Sequence, residues 1–386
     1  MQFNQNVITT EFPPVTEAAG WVAGRTFSED FPLIDVSQAV PGYPTAPDIL
    51  RHLTNIITQP PVSKYGHALG LTALREQYAK QLQSSGVTTD NIAITAGCNQ
   101  AFYVAAAALC KPGDSMLLPV PWYFNHKMSL DLLGVETVPL PCDPANQLLP
   151  DVEDARKLIN KKTRGIVLIS PNNPTGQVYP PETIDAFYKH ASETGVPLLL
   201  DETYCDFRDT TSQKPHSIFN DPGWSNHAMH LYSFSKAYAL AGYRVGALVA
   251  SAKVLNEVTK VLDCVSICAP QISQHAALYG LQHAAEWKEK KRQLMHERAG
   301  AFQAALQEHN HGYNIAAIGA YFAYLQHPFD TDSRTVAKHL ADHANLLSLP
   351  GQMFGPGQQQ FLRFAFANVA AEKMPEISRR LAKFTV

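Results

Sequence analysis

The sequence predicts an α/β chain: a large domain with a mostly parallel sheet between helices, plus a smaller α+β domain built from both chain ends. Three observations carry this. Short apolar runs alternate with helical patterns through the middle of the chain. The pattern changes after about residue 280, where long amphipathic helices and isolated strands take over. The 386 residues, 45% of them hydrophobic, are ample for two cores.

Six runs read as buried strands: Asn91 to Thr95, Ser115 to Pro119, Gly165 to Ser170, Val196 to Leu200, His230 to Ser233 and Val245 to Ala250. Each is short, apolar on both faces and bounded by turn formers, as in a sheet covered on both sides. Gln100 to Leu109 and Pro181 to Thr194 read as intervening helices. Beyond them, Ala285 to Glu308 is a long helix with a charged face. A strand from Gly319 to Leu325, a helix near Ser333 to His343, a strand from Phe361 to Phe366 and a terminal helix follow. The expected division is 46–285 for the large domain, with 1–45 and 286–386 forming the small one.

Net charge is −3, with both signs scattered along the chain, so no basic run points to nucleic acid. No apolar stretch approaches the roughly 20 residues that span a bilayer, and the N-terminus has no basic-then-apolar leader. The six cysteines form no CxxC pair and no metal-ligand spacing. The expectation is a cytoplasmic chain without metal, nucleic-acid or membrane partners.

Three segments carry chemistry. In Ser233-Phe-Ser-Lys236, a lysine follows a buried strand; desolvation disfavours its ammonium form and makes the amine a nucleophile toward an aldehyde. Ser170-Pro-Asn-Asn173-Pro-Thr-Gly176 puts an amide at the end of a second strand, the edge where open α/β sheets bind ligands. In Leu200-Asp201-Glu202-Thr203-Tyr204 an apolar strand ends in an acid, which needs a cationic partner if buried.

The order NPTG, DETY, SFSK, with Arg244 eight positions after the lysine, resembles the fold-type I aminotransferases of class I/II, the aspartate-aminotransferase-like superfamily. The resemblance spans about Asp35 to Arg363. It implies pyridoxal 5'-phosphate held as a Schiff base on Lys236, with Asp201 on the pyridine nitrogen and Asn173 and Tyr204 on the phenolic oxygen. Arg244 and Ser233 would bind the phosphate, with Ser235 as a helper. The turn Gly97-Cys98-Asn99 would cradle it through free backbone N–H groups at a helix start; Cys98 stands where the family often has a hydroxyl. Tyr123 would stack on the ring, and His126 would support Asp201. Tyr65 would reach the phosphate of a second subunit, implying a homodimer with shared active sites. Arg363 would bind the substrate α-carboxylate, a task suited to a planar fork; Asn173 is also expected to contact the substrate, as is Ala39, which occupies the substrate loop where a glycine is common.

The implied catalytic set is Lys236, Asp201 and Tyr204, and the implied reaction moves an amino group between an amino acid and a 2-oxo acid. A lyase, racemase or cyclase of the same fold shares these first steps and is the alternative. No second arginine for a dicarboxylate side chain is apparent, so aspartate is not the expected substrate.

Overall fold

The computed structural model describes residues 1–82, 84, 86–209, 214–309 and 312–385. Its centre is a seven-stranded sheet. The strands are β1 (Ile92–Thr95), β2 (Ser115–Val120), β3 (Glu136–Pro141), β4 (Thr163–Ile169), β5 (Leu198–Asp201), β6 (Ala228–Ser233) and β7 (Gly246–Val249). Their spatial order is β1-β7-β6-β5-β4-β2-β3. Only β7 runs against the others: it is antiparallel to both β1 and β6, and the remaining pairings are parallel.

The five strands β1, β2, β5, β6 and β7 are buried at every position. Both of their faces lie under helices, which is why they read as continuous apolar runs. β3 escapes that reading. It is the edge strand, buried at only one of its six positions, and carries Pro139 and Pro141, which an edge tolerates because one side of the strand has no ladder to complete.

A second, four-stranded antiparallel sheet is formed by β8 (Asn314–Gly319), β9 (Phe322–Gln326), β10 (Leu349–Pro350) and β11 (Phe361–Ala365), in the order β10-β11-β9-β8. The single strand expected from Gly319 to Leu325 is therefore two. Ala320, at φ 46°, turns the chain so that Gly319 pairs with Phe322. A non-glycine residue in this conformation carries no periodicity signal.

The N-terminal segment divides its contacts. The short helix α1 (Gln5–Thr9) rests on α4 (Phe124–Leu132), beside the large sheet, while α2 (Pro14–Val22) packs on α7 (Ser333–His343). Between these pairs in the chain come α3 (Cys98–Leu109), the helical turn α5 (Phe234–Ala237) and the long α6 (Ala285–Gln307). Among the described residues no helix is long and apolar enough to cross a membrane.

The two sheets meet at Gly176. Its φ is +78°, and a Cβ there would lie 2.4 Å from the Gly319 carbonyl oxygen. Gly176→Ala therefore combines backbone strain with an irreconcilable contact. The expected loss is about 2–4 kcal/mol, read as a lowered urea midpoint; an unchanged midpoint would contradict this packing.

Candidate active site

The reversed strand β7 focuses the site. Because it runs antiparallel, its start lies at the same edge as the ends of β1 and β6. Thr95, Gly246 and Ser233 stand in one register across the three strands. The segments just beyond them, carrying Gly97, Arg244 and Lys236, converge at that carboxyl edge. β4 adds the loop bearing Asn173, β5 ends in Asp201, and β2 leads into Tyr123. The result is a cavity of about 350 Å³ lined by Ala39, Cys98, Asn99, Tyr123, Asn173, Asp201, Tyr204, Ser233, Ser235, Lys236, Arg244 and Arg363, among others.

Asp201 ends β5 and is 3% exposed. Its Oδ1 accepts from the Thr203 N–H at 2.9 Å, and its Oδ2 accepts from the Cys98 thiol at 3.4 Å. His126 Nε2 lies 3.3 Å from the same Oδ2, and the imidazole stacks on Phe102 at 4.0 Å. Burial alone would raise this carboxyl. His126 and Thr203 outweigh it and hold the group below the usual carboxylate range. Asp201 is thus a buried anion at the base of the cavity. The next residue, Glu202, faces elsewhere: it is buried against His230 at 2.9 Å and His216 at 3.4 Å.

Lys236 sits on α5, a turn capped by the Ser233 side chain, which accepts from the Ser235 N–H at 3.2 Å. Its Nζ donates to the Ala39 carbonyl and lies 5.8 Å from the centre of the Tyr204 ring. Burial, then the charges of Arg363 and Arg244, lowers its pKa from 10.5 to about 8.

Arg363 stands in mid-strand on β11 and is 1% exposed. Nη1 donates to Asn173 Oδ1 at 3.0 Å and Nη2 donates to the Ser37 carbonyl, while the buried Nε has no partner. The guanidinium lies 5.0 Å from the Phe322 ring centre and 5.1 Å from that of Phe354. Burial lowers its pKa to about 10. No carboxylate among the described residues pairs with it. Such a cation is costly unless an anion arrives.

Burial pushes the Tyr204 phenol well above its ordinary value, so it remains a donor. Tyr123 precedes α4 and donates to Asn99 Oδ1 at 3.3 Å; burial raises its phenol to about 12.

At the opposite end of the cavity, α3 opens at Cys98, two residues earlier than the pattern from Gln100 suggested. Gly97 explains the early start. Its φ is +89°, and a Cβ would come within 2.5 Å of Arg244 Nη2. This leaves the free N–H groups of α3 beside the Arg244 guanidinium, which donates to the Ala241 carbonyl at 3.0 Å and the Ala96 carbonyl at 3.4 Å.

Not every expected residue lines the cavity. Gly97 stays behind Arg244, His126 acts from beneath Asp201, and Tyr65 is 79% exposed, outside its own chain's cavity. Conversely, Pro13, Val15, Gln38, Val40, Phe124 and Asn125 line it without having been singled out. None carries a motif. Pro13, Val15, Gln38 and Val40 reach it from the N-terminal segment and the 35–45 loop, while Phe124 and Asn125 follow Tyr123 at the start of α4.

The depressed Lys236 pKa has a direct consequence. In cofactor-free protein, arylation of Lys236 by an amine-selective reagent, followed by peptide mass spectrometry, should rise with pH with a midpoint near 8, as the ammonium gives up its proton. A midpoint above 10 would show an ordinary solvated lysine.

The family described as Aminotransferase class I and II matches residues 32–381. Among related proteins, the transaminase BacF of Bacillus subtilis is 28% identical, covering 92% of this chain and 89% of that one. The aromatic aminotransferase ISS1 of Arabidopsis thaliana is 25% identical over 94% and 96% of the two chains. In fold, the aspartate aminotransferase of Thermus thermophilus with maleate superposes at TM-score 0.89, covering 99% of each chain at 23% identity. The α/β architecture, the convergent edge and a match over nearly the whole chain make this protein a member of the class I and II aminotransferase family.

Proposed function

We propose that this cavity binds pyridoxal 5'-phosphate at Lys236 and transfers an amino group from an amino acid to a 2-oxo acid. The observation that carries the reading is the charge arrangement of one cavity. A buried anion lies at its base, a lysine of lowered pKa on its wall, and a buried arginine with an unpartnered Nε faces it from the second sheet. These groups fit the cofactor and its substrate. Asp201 suits a protonated ring nitrogen, the α3 start with Arg244 suits a phosphate, and Arg363 suits a carboxylate.

When bound, the cofactor supplies an electrophilic aldehyde and an electron-withdrawing ring. The chain does the rest. Lys236 would provide the amine that holds the cofactor, and its lowered pKa would suit it to carry the proton at the substrate α-carbon. Asp201, kept ionised by His126 and Thr203, would hold a proton on the ring nitrogen. Asn173 commits its carbonyl to Arg363, which leaves its NH2, with the Tyr204 hydroxyl, as the donors that would serve the ring oxygen. Tyr123 supplies an aromatic face for the ring. Ser233, Ser235, Arg244 and the backbone of Gly97, Cys98 and Asn99 hold the phosphate. Arg363 orients the substrate by its α-carboxylate, with the Ala39 loop closing over it.

We also assign the chain to a homodimer with shared sites, divided within each subunit into a large domain over 46–285 and a small one from 1–45 and 286–386. Tyr65 is 79% exposed, and the apolar residues Leu50, Ile57 and Val265 are exposed in part, side chains that a second copy could cover. The free cysteines and the absence of membrane-spanning helices among the described residues fit a cytoplasmic enzyme.

Two measurements test these assignments. Lys236→Ala should slow conversion of the bound cofactor by an amino acid by at least about 100-fold, the usual weight of a positioned proton carrier; near-native conversion would refute the role. Tyr65→Ala should weaken cofactor affinity about tenfold, roughly 1.4 kcal/mol. Mixing Tyr65→Ala with Lys236→Ala subunits should regenerate high-affinity, active sites in the hybrids. Absence of any such recovery would contradict a site shared between subunits.

A further inference from the structure

Amino transfer gives a role to every charged group that this chain contributes to the cavity. Its described charged lining residues are Lys236, Arg244, Arg363 and Asp201. One links the cofactor, one holds the phosphate, one binds the α-carboxylate and one serves the ring nitrogen. What this chain leaves for the substrate side chain is, among its described residues, bounded by neutral groups.

The position of this compartment follows from the loop 37–40. Its Ser37 carbonyl accepts from Arg363 and its Ala39 carbonyl accepts from Lys236, so the loop bridges the two groups that fix the substrate's carboxylate and α-carbon. Val40 continues the same loop along the cavity wall. Phe124 faces Arg363 through Phe354, at 5.7 Å between ring centres. Val15, at the start of α2, packs in the same apolar cluster as Phe124 and Phe354. The nearest sequence neighbour with a positive charge, Lys127, is spent on Asp131 at 2.6 Å.

Resting on the amino-transfer reading, we propose that this compartment selects an uncharged, mainly apolar amino-acid side chain, with Val15 and Val40 as its specificity-determining walls. An aspartate or glutamate side chain would lose hydration there without gaining a cation, and an arginine or lysine side chain would gain no free carboxylate. Tolerance for leucine-, methionine- or phenylalanine-like side chains follows from the same walls, since a hydrophobic pocket discriminates weakly among apolar groups.

The test is a single-turnover panel on the assembled holoenzyme, following absorbance of the bound cofactor after mixing with leucine, methionine, phenylalanine, aspartate, glutamate, arginine or lysine. Apolar amino acids should react with a second-order rate constant at least about 100-fold above the charged ones. Val40→Arg should raise the aspartate-to-leucine ratio at least about tenfold by supplying the missing cation. Val15→Arg provides the same readout if the first variant fails to load cofactor. Aspartate or glutamate reacting as fast as leucine in the wild-type enzyme would overturn the proposal and imply a cation delivered by a second copy. Unchanged ratios in both loaded variants would overturn the choice of walls. If no amino acid of any class converts the cofactor, the amino-transfer reading itself fails, an outcome distinct from reaction with the wrong class.

Discussion

The structure turns on a charge imbalance within one cavity, where Arg363 and Asp201 are buried, Lys236 is half-buried and Arg244 is exposed. Lys236, Arg244 and Arg363 face one cavity across from a single carboxylate, Asp201. Arg363 is nearly inaccessible, and Lys236 is desolvated enough to lower its pKa. Such an arrangement costs stability in the empty protein and is tolerable where anions complete it. A phosphate at one end and a carboxylate at the other are the two anions the reaction brings, so binding and electrostatic completion are the same event. Ligands that bind only the folded chain should also stabilise it by mass action.

Convergence is achieved by a small set of backbone decisions. One reversed strand, β7, returns Arg244 to the edge where the parallel strands end. Gly97 gives α3 room to start against that arginine. The second sheet contributes one residue, Arg363, whose hydrogen bond to Asn173 ties the two sheets together across the cavity. Movement between the sheets would therefore change the carboxylate site and the amide beside the ring position together.

Much of this was legible in the sequence because chemistry at a strand end leaves a signature. The buried strands read as apolar runs, and Asp201, Asn173 and Lys236 each break such a run with a polar group, in an order that the family resemblance made interpretable. The ends of elements were less legible. Gly97 and Ala320 set boundaries through positive φ, which periodicity does not encode. The edge strand β3 was hidden by its prolines and exposure. The side-chain compartment was hidden for a different reason: Val15, Val40 and Phe124 are ordinary apolar residues from separate segments, and only their lining of the cavity that holds Arg363 gives them meaning.

The central claim is the identity of the lysine. It is tested most directly by reducing the holoenzyme with borohydride and mapping the resulting pyridoxyl adduct by peptide mass spectrometry. The account predicts one adduct per subunit, on the peptide carrying Lys236, with none on Lys288, whose ammonium is held by Asp206 at 2.6 Å. An adduct on any other lysine, or none at all in protein that retains the cofactor, would contradict it.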